Sequence, residues 1–445
     1  MINLKTILKK ERSQKASVVA IILLLTIIGV DFLVTSHAQS PYAAVSAASG
    51  ILSGQATIKA ASNGSYVQFG SYSSPPPVLA IHVSGGQLVN AQRVATRLLG
   101  VDAGGTEDSC IDAASYNTWP PLDASEAAAM AAWKVNAVRI PLNEDCWLGI
   151  NGATTALAGA NYQNAIKNWV NTLNRQGFIV ILDLHWTAPG TYPANQQYAM
   201  ADSDHSITFW SQVAGTFKAN PAVIFDPFNE PAISVSPNPS WTPTSTDWAC
   251  WLNGCSITES KNTLLNGTYT SVTYTTAGMQ QLVSTIRATG ATQPIMVGGL
   301  NNAGDPCGTK DLGGNGGACM ETSYMPRDPL NQLAISFHTY NWTSCTTLAC
   351  WNTTLAGARA ANLPIITGEF GERDCLTSYN DAYMNWADAN KVSYLMWSWR
   401  VDNSAQQTCT SPNPDFRMLS NWGGATTPHN PASADFKSHL LTAIP

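Results

Sequence analysis

The sequence predicts an α/β protein in which eight parallel strands close into a (β/α)8 TIM barrel. From about Leu79 onward, short apolar runs alternate with stretches of helical periodicity, the order expected for parallel strands joined by helices. The length from there to the C-terminus suits one barrel with several long loops. The eight apolar runs are 97–102, 137–141, 178–185, 223–229, 295–299, 333–340, 365–369 and 394–399.

The segments between these runs favour the same topology. Just before the first run, residues 80–83 and 87–90 are expected to form a short N-terminal hairpin at the bottom of the barrel. Residues 301–331 are an exception, being rich in glycine with little helical period. Helical periodicity is clearest over 123–134, 161–176, 204–218, 275–289 and 380–390. We assign residues 79–445 to one barrel domain.

Residues 1–38 have the features of a targeting segment. Five Lys and Arg side chains precede an apolar run of 13 residues, and small residues at Ser36 and Ala38 suit a cleavage site. The run is short for a membrane span, so we expect a cleaved signal peptide, with an N-terminal membrane anchor as the alternative. Residues 39–78 are rich in Ala, Ser, Gly and Pro and are predicted to be a disordered linker, in which 56–70 includes a strand-like alternation.

The cysteines agree with export from the cytoplasm. All ten follow the leader, none forms a C-x-x-C motif, and no Cys/His cluster has the spacing of zinc ligands. In an oxidising compartment they would form disulfides between near neighbours, whereas the alternative is ten buried free thiols. The predicted pairs are Cys110/Cys146, Cys250/Cys255, Cys307/Cys319, Cys345/Cys350 and Cys375/Cys409.

Composition argues against nucleic acid as a partner. Charged residues make up only 12% of the chain, the formal net charge is −6, and no basic run follows Lys15. The surface is expected to be weakly charged and polar, which suits neutral partners better. We expect no cofactor, no metal and a monomeric protein that contacts a membrane only if its leader stays uncleaved.

Polar and aromatic side chains gather where the apolar runs end. In a (β/α)8 barrel, the C-terminal ends of the strands form the rim that carries active sites. Charged groups at the ends of apolar strands also need a reason, because burying them unpaired costs several kcal/mol. The residues in question are Arg139, Asp183, His185, Trp186, Asn229, Glu230, His338, Tyr340, Glu369, Trp397 and Trp399.

Two glutamates stand out among these residues. Glu230 ends the fourth run and Glu369 ends the seventh, and the rim of one barrel is narrow enough for them to face each other. A single glutamate at a strand end is more often a solvated or paired carboxylate than a catalyst. Two facing carboxyl groups, one of them protonated, form the usual apparatus for cleaving a glycosidic bond.

Four stretches resemble the signature sequences of glycoside hydrolase family 5, namely 181–185, 225–231, 338–340 and 368–371. Their order and spacing match over roughly residues 80–445. The resemblance implies a retaining double displacement on β-linked glycans, with Glu230 as the acid/base and Glu369 as the nucleophile. The family's supporting residues fall on Arg139, His185, Asn229, His338, Tyr340 and Trp397.

Structural roles are the alternatives for the supporting residues. Arg139 could form an ion pair that caps the core, and His185 and His338 could be buried structural histidines. Trp186 is a candidate for substrate binding, although barrel ends also use tryptophan as filler, and the same holds for Trp399.

Two further groups lie in predicted loops near the rim. Glu144, Asp145, Glu372 and Asp374 are expected to be solvated. The tryptophans of the loop after the fourth run have two interpretations, a platform for sugar rings or a small hydrophobic core inside a long loop. They are Trp241, Trp248 and Trp251.

The sequence thus predicts a secreted, endo-acting retaining β-1,4-glucanase of cellulase type, whose partner is a β-linked polysaccharide or oligosaccharide. A β-mannanase, another β-glycanase and an exo-β-glucosidase of the same family remain open, because loops set specificity. Outside this class, the alternatives are a non-catalytic glycan-binding barrel and a membrane-tethered envelope protein. The presence of both carboxylates disfavours the binding protein.

Overall fold

The computed structural model of this protein describes residues 57–61, 64–68, 79–111, 121–235, 243–261, 269–304, 324–401 and 416–443. The predicted leader and most of the predicted linker lie outside these ranges, so leader cleavage and linker disorder stay predictions. The chain divides into two compact units, residues 1–76 and residues 77–445. In the first unit, strand β1 (Thr57–Ala61) pairs antiparallel with strand β2 (Gly64–Gln68).

The second unit begins with the predicted hairpin. Strand β3 (Ile81–Ser84) pairs antiparallel with strand β4 (Gln87–Asn90), and the main-chain N–H of Ile81 donates to the carbonyl of Pro221 over 3.0 Å. Ile81, Val83 and Leu88 pack into a cluster of inward-facing barrel side chains. The hairpin therefore closes the end of the barrel where the strands begin.

Eight parallel strands form a closed barrel, which confirms the predicted fold class. Each strand pairs with the next along the chain, and the eighth closes the ring against the first, with Met396 opposite Val101. All eight lie on the predicted apolar runs. They are β5 (Leu99–Asp102), β6 (Ala137–Asn143), β7 (Ile179–Trp186), β8 (Val223–Asp226), β11 (Ile295–Gly298), β12 (Leu333–Tyr340), β13 (Ile365–Gly371) and β14 (Ser393–Met396).

Helices cover the outside of the barrel. In helix α3 (Ala160–Gln176), the buried side chains recur every three or four residues and form one apolar stripe, from Tyr162 through Ile166 and Trp169 to Leu173. The helices of the described ranges are α1 (Ala124–Ala132), α2 (Glu144–Leu148), α3 (Ala160–Gln176), α4 (Ser206–Phe217), α5 (Ser245–Asn253), α6 (Met279–Ala288), α7 (Leu348–Thr354), α8 (Ala356–Ala360), α9 (Ser378–Ala389) and α10 (Pro431–Leu440).

The predicted helix over 275–289 is wrong at its start. Thr275 ends strand β10 (Thr270–Thr275), which pairs antiparallel with strand β9 (Ser256–Lys261), and α6 begins only at Met279. The residues of β10 alternate, with Val272 and Tyr274 buried between exposed neighbours. This is the period of a half-buried strand and not of a helix. A last short pair joins β15 (Leu419–Asn421) to β16 (Ala425–Thr426).

Two tryptophans of the long excursion between β8 and α6 belong to the main hydrophobic core. Trp248 and Trp251 are buried and pack edge to face, with ring centroids 5.5 Å apart. The structure therefore favours the hydrophobic interpretation of these two tryptophans over a sugar platform. Trp241 lies outside the described residues.

Three of the predicted disulfides are present. Cys110–Cys146, Cys250–Cys255 and Cys345–Cys350 have Cα separations of 5.6, 5.1 and 5.4 Å. Cys375 is also disulfide-bonded, and its predicted partner Cys409 lies outside the described residues, as does the predicted pair Cys307/Cys319. Within the described ranges, no helix has both the length and the apolar character required to cross a membrane.

Candidate active site

A cavity of about 600 Å³ opens where the barrel strands end. Its lining combines carboxyl, imidazole and amide groups with aromatic rings, a mixture that suits a polar ligand with flat apolar faces. From the predicted site residues, the lining includes His185, Asn229, Glu230, His338, Tyr340, Glu369 and Trp397.

A β-bulge turns Glu369 into this cavity. Phe337 lies opposite Thr367, but His338 lies opposite Glu369, so Gly368 is an extra residue in β13. Thr367 faces outward and shares a hydrogen bond with the hydroxyl of Tyr383 in α9. Strict alternation would then place residue 368 inside the barrel and residue 369 outside. The bulge reverses this and aims the Glu369 side chain inward.

Glycine is needed at the bulge because His338 packs directly against it. A Cβ atom at Gly368 would lie 2.7 Å from Nε2 of His338 and 3.0 Å from Oγ of Ser336. These side chains point into the barrel from the neighbouring strand and are buried. The sequence therefore places a glycine beside Glu369 for a steric reason.

Two donors hold the carboxylate of Glu369. Nη1 of Arg139 lies 2.8 Å from its Oε1, and the hydroxyl of Tyr340 donates to its Oε2 over 2.6 Å. Both bonds fix the direction of the carboxylate, and the bond from the guanidinium is charge-assisted. The side chain is almost fully buried.

Glu230 lies across the cavity from Glu369 in a different environment. Its Oε1 lies 3.1 Å from Nδ1 of His338, and its Oε2 accepts a bond from Nδ2 of Asn302 over 3.4 Å. Burial raises the pKa of Glu230 above its ordinary value. A carboxyl group with a raised pKa keeps its proton to higher pH, which is what a proton donor requires.

His338 lies between the two carboxyl groups. One oxygen of Glu230, one oxygen of Glu369 and one ring nitrogen of His338 all lie within 4.8 Å of one another. Burial lowers the pKa of His338 to about 4. The imidazole is therefore neutral near pH 7 and adds no positive charge between the carboxyl groups.

Arg139 lies at the centre of the polar layer under the cavity. The side chain is fully buried, and its guanidinium contacts Asp102, Asp183, Asp226 and Glu369 at 2.8–3.1 Å. Nη2 also donates to Oδ1 of Asn229 over 2.7 Å, which orients the amide of that residue. The predicted supporting residue is thus in contact with the site, although it does not line the cavity.

His185 and Trp397 form one wall of the cavity. Their rings stack 5.3 Å apart with an interplanar angle of 7°. Nδ1 of His185 lies 2.7 Å from Oδ2 of Asp183. Burial alone would lower the pKa of His185, but the charge of Asp183 outweighs it and raises the pKa to about 9.

The structure places three tryptophans differently from the simplest expectation. Trp186 is the predicted site residue that neither lines the cavity nor contacts Arg139, and it packs against the outer hydrophobic core. Trp399 is buried and donates to the carboxylate of Glu126. Trp342 was not predicted, yet it lines the cavity with 44% of its surface exposed and stacks on Tyr340 at 4.4 Å.

The prediction that the acids near the rim are solvated is wrong for three of them. Glu144 and Asp145 are buried in α2, where they bind the hydroxyl of Ser206 and the N–H of Ala194. Glu372 is buried and accepts bonds from two N–H groups at the start of α9. Free N–H groups at helix ends and in loops need acceptors, which these carboxylates supply. Asp374 is exposed as expected.

Other cavity residues come from loops that carry no recognisable motif. Asn302 lies in a run of three residues with positive φ, together with Asn301 and Ala303, and this turn brings its amide to Glu230. Gln197 donates to the main-chain carbonyl of Glu230 over 2.9 Å. For Trp342, its position two residues after Tyr340 at a strand end was a usable signal.

Comparisons with known proteins bear on the fold and on the family of this chain. A comparison with the curated proteins finds no match. Among solved structures, the β-glucanase of Saccharophagus degradans in complex with cellotetraose has 19% identity and a TM-score of 0.53, over 83% of this chain and 98% of that one. A triple mutant of the endo-β-1,4-glucanase of Xanthomonas axonopodis pv. citri has 19% identity and a TM-score of 0.53, over 78% and 100%. At this identity the likeness shows the fold.

The family comparison goes further. The model of the cellulases of glycosyl hydrolase family 5 matches residues 102–403, which is more than half of the chain. The match spans seven of the eight barrel strands in full and contains both Glu230 and Glu369. The protein is a glycoside hydrolase, and it belongs to glycosyl hydrolase family 5.

Proposed function

We propose that this protein is an endo-acting β-1,4-glucanase that works by retaining double displacement, with Glu230 as the acid/base and Glu369 as the nucleophile. One observation carries the proposal: two carboxyl groups in different environments face each other across one cavity. Glu230 has a raised pKa through burial, whereas Glu369 is held by a guanidinium and a hydroxyl donor.

The separation of the two groups supports retention of configuration. Retaining enzymes hold their carboxyl groups about 5–5.5 Å apart, whereas inverting enzymes leave about 6.5–9.5 Å for a water molecule. Here an oxygen of Glu230 and an oxygen of Glu369 lie within 4.8 Å. That space suits direct attack by Glu369 on a sugar bound between the two carboxyl groups.

In the first step, the proton of Glu230 passes to the glycosidic oxygen as its bond to the anomeric carbon breaks. Oε1 or Oε2 of Glu369 forms a new bond to that carbon, giving a covalent glycosyl-enzyme. Arg139 and Tyr340 fix the carboxylate so that it is aimed before the substrate arrives.

In the second step, Glu230 acts as a base. It takes a proton from a water molecule, whose oxygen attacks the anomeric carbon and releases Glu369. Two inversions at one carbon retain the configuration. Neutral His338, 3.1 Å from Glu230, leaves the acid/base free to lose and regain its proton.

The walls of the cavity suit a chain of pyranose rings. Trp397 supplies a flat face on one side, and Trp342 stacks on Tyr340 on another. Flat aromatic faces pack well against the apolar faces of sugars. Asn229, oriented by Arg139, is placed to bond the 2-hydroxyl of the cleaved sugar.

The test is a screen of purified residues 39–445 on soluble β-glucan, cellulose, mannan, xylan and aryl glycosides, with the anomeric configuration followed by NMR. Since two similar folds are β-glucanases, one of them with bound cellotetraose, cello-oligosaccharides come first. We expect cleavage of internal β-1,4-glucosidic bonds with the β-anomer formed first. A preference for mannan would refute the proposed substrate but not the mechanism, whereas an α-anomer formed first would refute double displacement.

We also propose that the enzyme acts outside the cell, released from its leader or anchored by it. The proposal rests on the charged and apolar pattern of residues 1–38 and on the three disulfides of the described residues. Fractionation of expressing cells, with mass analysis of the N-terminus of the enzyme, distinguishes release from anchoring. An enzyme found in the cytoplasm with free thiols would refute it.

A further inference from the structure

The charges around Arg139 do not balance if every acid in contact with it is ionised. One guanidinium contacts four carboxyl groups, and all five side chains are fully or almost fully buried. His185, which contacts Asp183, is the second cation of the layer. In the part of the chain that the structure describes, no lysine and no other arginine forms an ion pair with these four acids. Two positive charges would then face four negative ones.

We propose that Asp102 and Asp226 are held as neutral carboxylic acids in the folded protein, so that the charge of Arg139 is left for Glu369. An uncompensated charge in a buried layer costs several kcal/mol, and uptake of a proton is the usual relief. With two protons bound, Arg139 and His185 balance Asp183 and Glu369.

Contacts decide which two acids carry the protons. Asp183 lies against both cations, with Oδ2 at 2.7 Å from His185 and 3.1 Å from Arg139. Glu369 has the bond from Tyr340 in addition to Arg139. Asp102 and Asp226 contact only Arg139, through one oxygen each.

The second oxygens of these two aspartates give an independent observation. Oδ2 of Asp102 and Oδ1 of Asp226 are buried and have no hydrogen-bond partner among the described residues. Oδ1 of Asp183 shares this feature, but the other oxygen of Asp183 lies against two cations. A bare oxygen of a carboxylate is far more costly than a bare hydroxyl of a neutral acid. Burial raises the pKa of both carboxyl groups well above the ordinary value, and the charges of Asp183 and Glu369 add to this.

The groups around Asp102 and Asp226 come from several barrel strands. Strands β11 and β14 contribute no titratable side chain to it. The titratable and charged groups that interact with Asp102 or Asp226 from the other strands are Arg139, Asp183, Tyr340 and Glu369. His185 lies next to Asp183, and His338 lies next to both Glu369 and Glu230.

The consequence concerns the nucleophile. If Asp102 and Asp226 were ionised, they would compete with Glu369 for the same guanidinium and place two negative charges beside it. As neutral acids they accept bonds from Arg139 and hold it in place without taking its charge. We describe both as positioning residues, since they act through Arg139. This consequence rests on the proposed nucleophilic role of Glu369, whereas the protonation itself does not.

The test needs no substrate, so it can fail independently of the proposed function. The unfolding free energy is measured against pH for the wild type, Asp102→Asn and Asp226→Asn. An acid whose pKa is raised in the folded state makes the protein less stable as pH rises above about 3.8, up to the folded pKa. Each asparagine mimics the neutral acid. Over this pH range, the folding equilibrium constant of the variant should therefore rise relative to that of the wild type by up to tenfold per pH unit.

Ionised aspartates paired with Arg139 predict the opposite sign. Both variants would then be less stable than the wild type at pH 7, and the deficit would shrink as pH falls. Asp183→Asn is the matched control and should be less stable than the wild type at pH 7, because it removes the carboxylate that contacts both His185 and Arg139. Should one variant fail to fold, infrared difference spectra between the wild type and the other variant still decide: loss of a protonated carboxylic acid band at pH 7 in that variant would support the proposal, and no loss would overturn it.

Discussion

The two ends of the barrel interior are built from the same strands but have opposite character. Near the hairpin, inward positions carry Ala137, Ile181, Ile224 and Ile366, which pack into one apolar cluster. The next inward positions along three of these strands carry Arg139, Asp183 and Asp226, all fully buried. A step of two residues along a strand therefore takes the interior from an apolar core to a charged layer.

This contrast separates stability from activity along one axis. The apolar cluster near the hairpin, here called the lower layer, removes apolar surface from water, which stabilises the fold. The charged layer around Arg139, here called the upper layer, buries charges whose pairing at best offsets the free-energy cost of removing them from water. We infer that the lower layer supports the barrel, whereas the upper layer is kept for chemistry at a cost in stability.

The largest expected effect is at the nucleophile. Glu369→Ala should lower kcat by roughly 10⁴-fold or more, because no glycosyl-enzyme can form. The unfolding free energy should fall by less than for a truncation among the apolar side chains near the hairpin, because Asp102 or Asp226 can release its proton and restore the charge balance around Arg139. Assays on β-glucan, paired with chemical denaturation, measure both, and Asp374→Ala at an exposed acid is the control. A stable variant that kept its activity would place the nucleophile elsewhere.

The lower layer should respond in the reverse way. Ile181→Ala leaves a cavity in a fully buried cluster, so the unfolding free energy should fall by about 2–5 kcal/mol. Ile181→Val should cost only about 0.5–1.5 kcal/mol. Below the melting transition, kcat should stay near the wild-type value for both. A large loss of kcat without a loss of stability would break the division between the layers.

The pH dependence of stability should identify the His185–Asp183 pair. The pKa of His185 is raised to about 9, so its contribution is fully present below the unfolded value of about 6.5 and is lost as pH rises through 9. In His185→Asn, the unfolding free energy should fall less steeply over this window than in the wild type. Denaturant titrations at several pH values provide the measurement, and parallel curves would contradict it.

The smallest effect is expected at the cavity wall. Trp342→Ala should raise KM for oligosaccharides by roughly tenfold, which corresponds to one lost stacking contact, while kcat on a short aryl glycoside changes little. Tyr269→Ala removes an aromatic ring that is 65% exposed and does not line the cavity, and it serves as the control. Equal effects of the two variants would show that Trp342 contributes nothing specific.

The sequence predicts the strands and their polar ends because both depend on local pattern. Most of the apolar runs, although not 295–299, end in a polar or aromatic group, and closure of eight parallel strands brings these ends together. The inward direction of Glu369 could not be predicted, since it depends on a bulge at Gly368 that follows from pairing with the neighbouring strand. Counting alternate residues from Ile366 would have turned Glu369 outward.

The burial of acidic side chains in the predicted loops also could not be predicted from the sequence. Glu144 and Asp145 are buried because a hydroxyl and an N–H group distant in sequence need acceptors, and Glu372 is buried because it accepts from N–H groups at the start of the next helix. Asn302 reaches Glu230 across 72 residues through a left-handed turn that no spacing reveals. The strand β10 is different, because the alternation of Val272 and Tyr274 is legible in the sequence, yet the predicted elements include no strand there and start the next helix four residues early, at Thr275.

The central claim is that Glu369 forms a covalent bond to the sugar while Glu230 handles protons. The most direct test uses Glu230→Ala with dinitrophenyl β-cellobioside, whose leaving group hardly needs protonation. The first step should survive and the second should slow, so a cellobiosyl-enzyme should accumulate, and peptide mass mapping should locate the sugar on Glu369. Azide should release it with retained configuration. An absence of any adduct, or an adduct on another residue, would contradict the account.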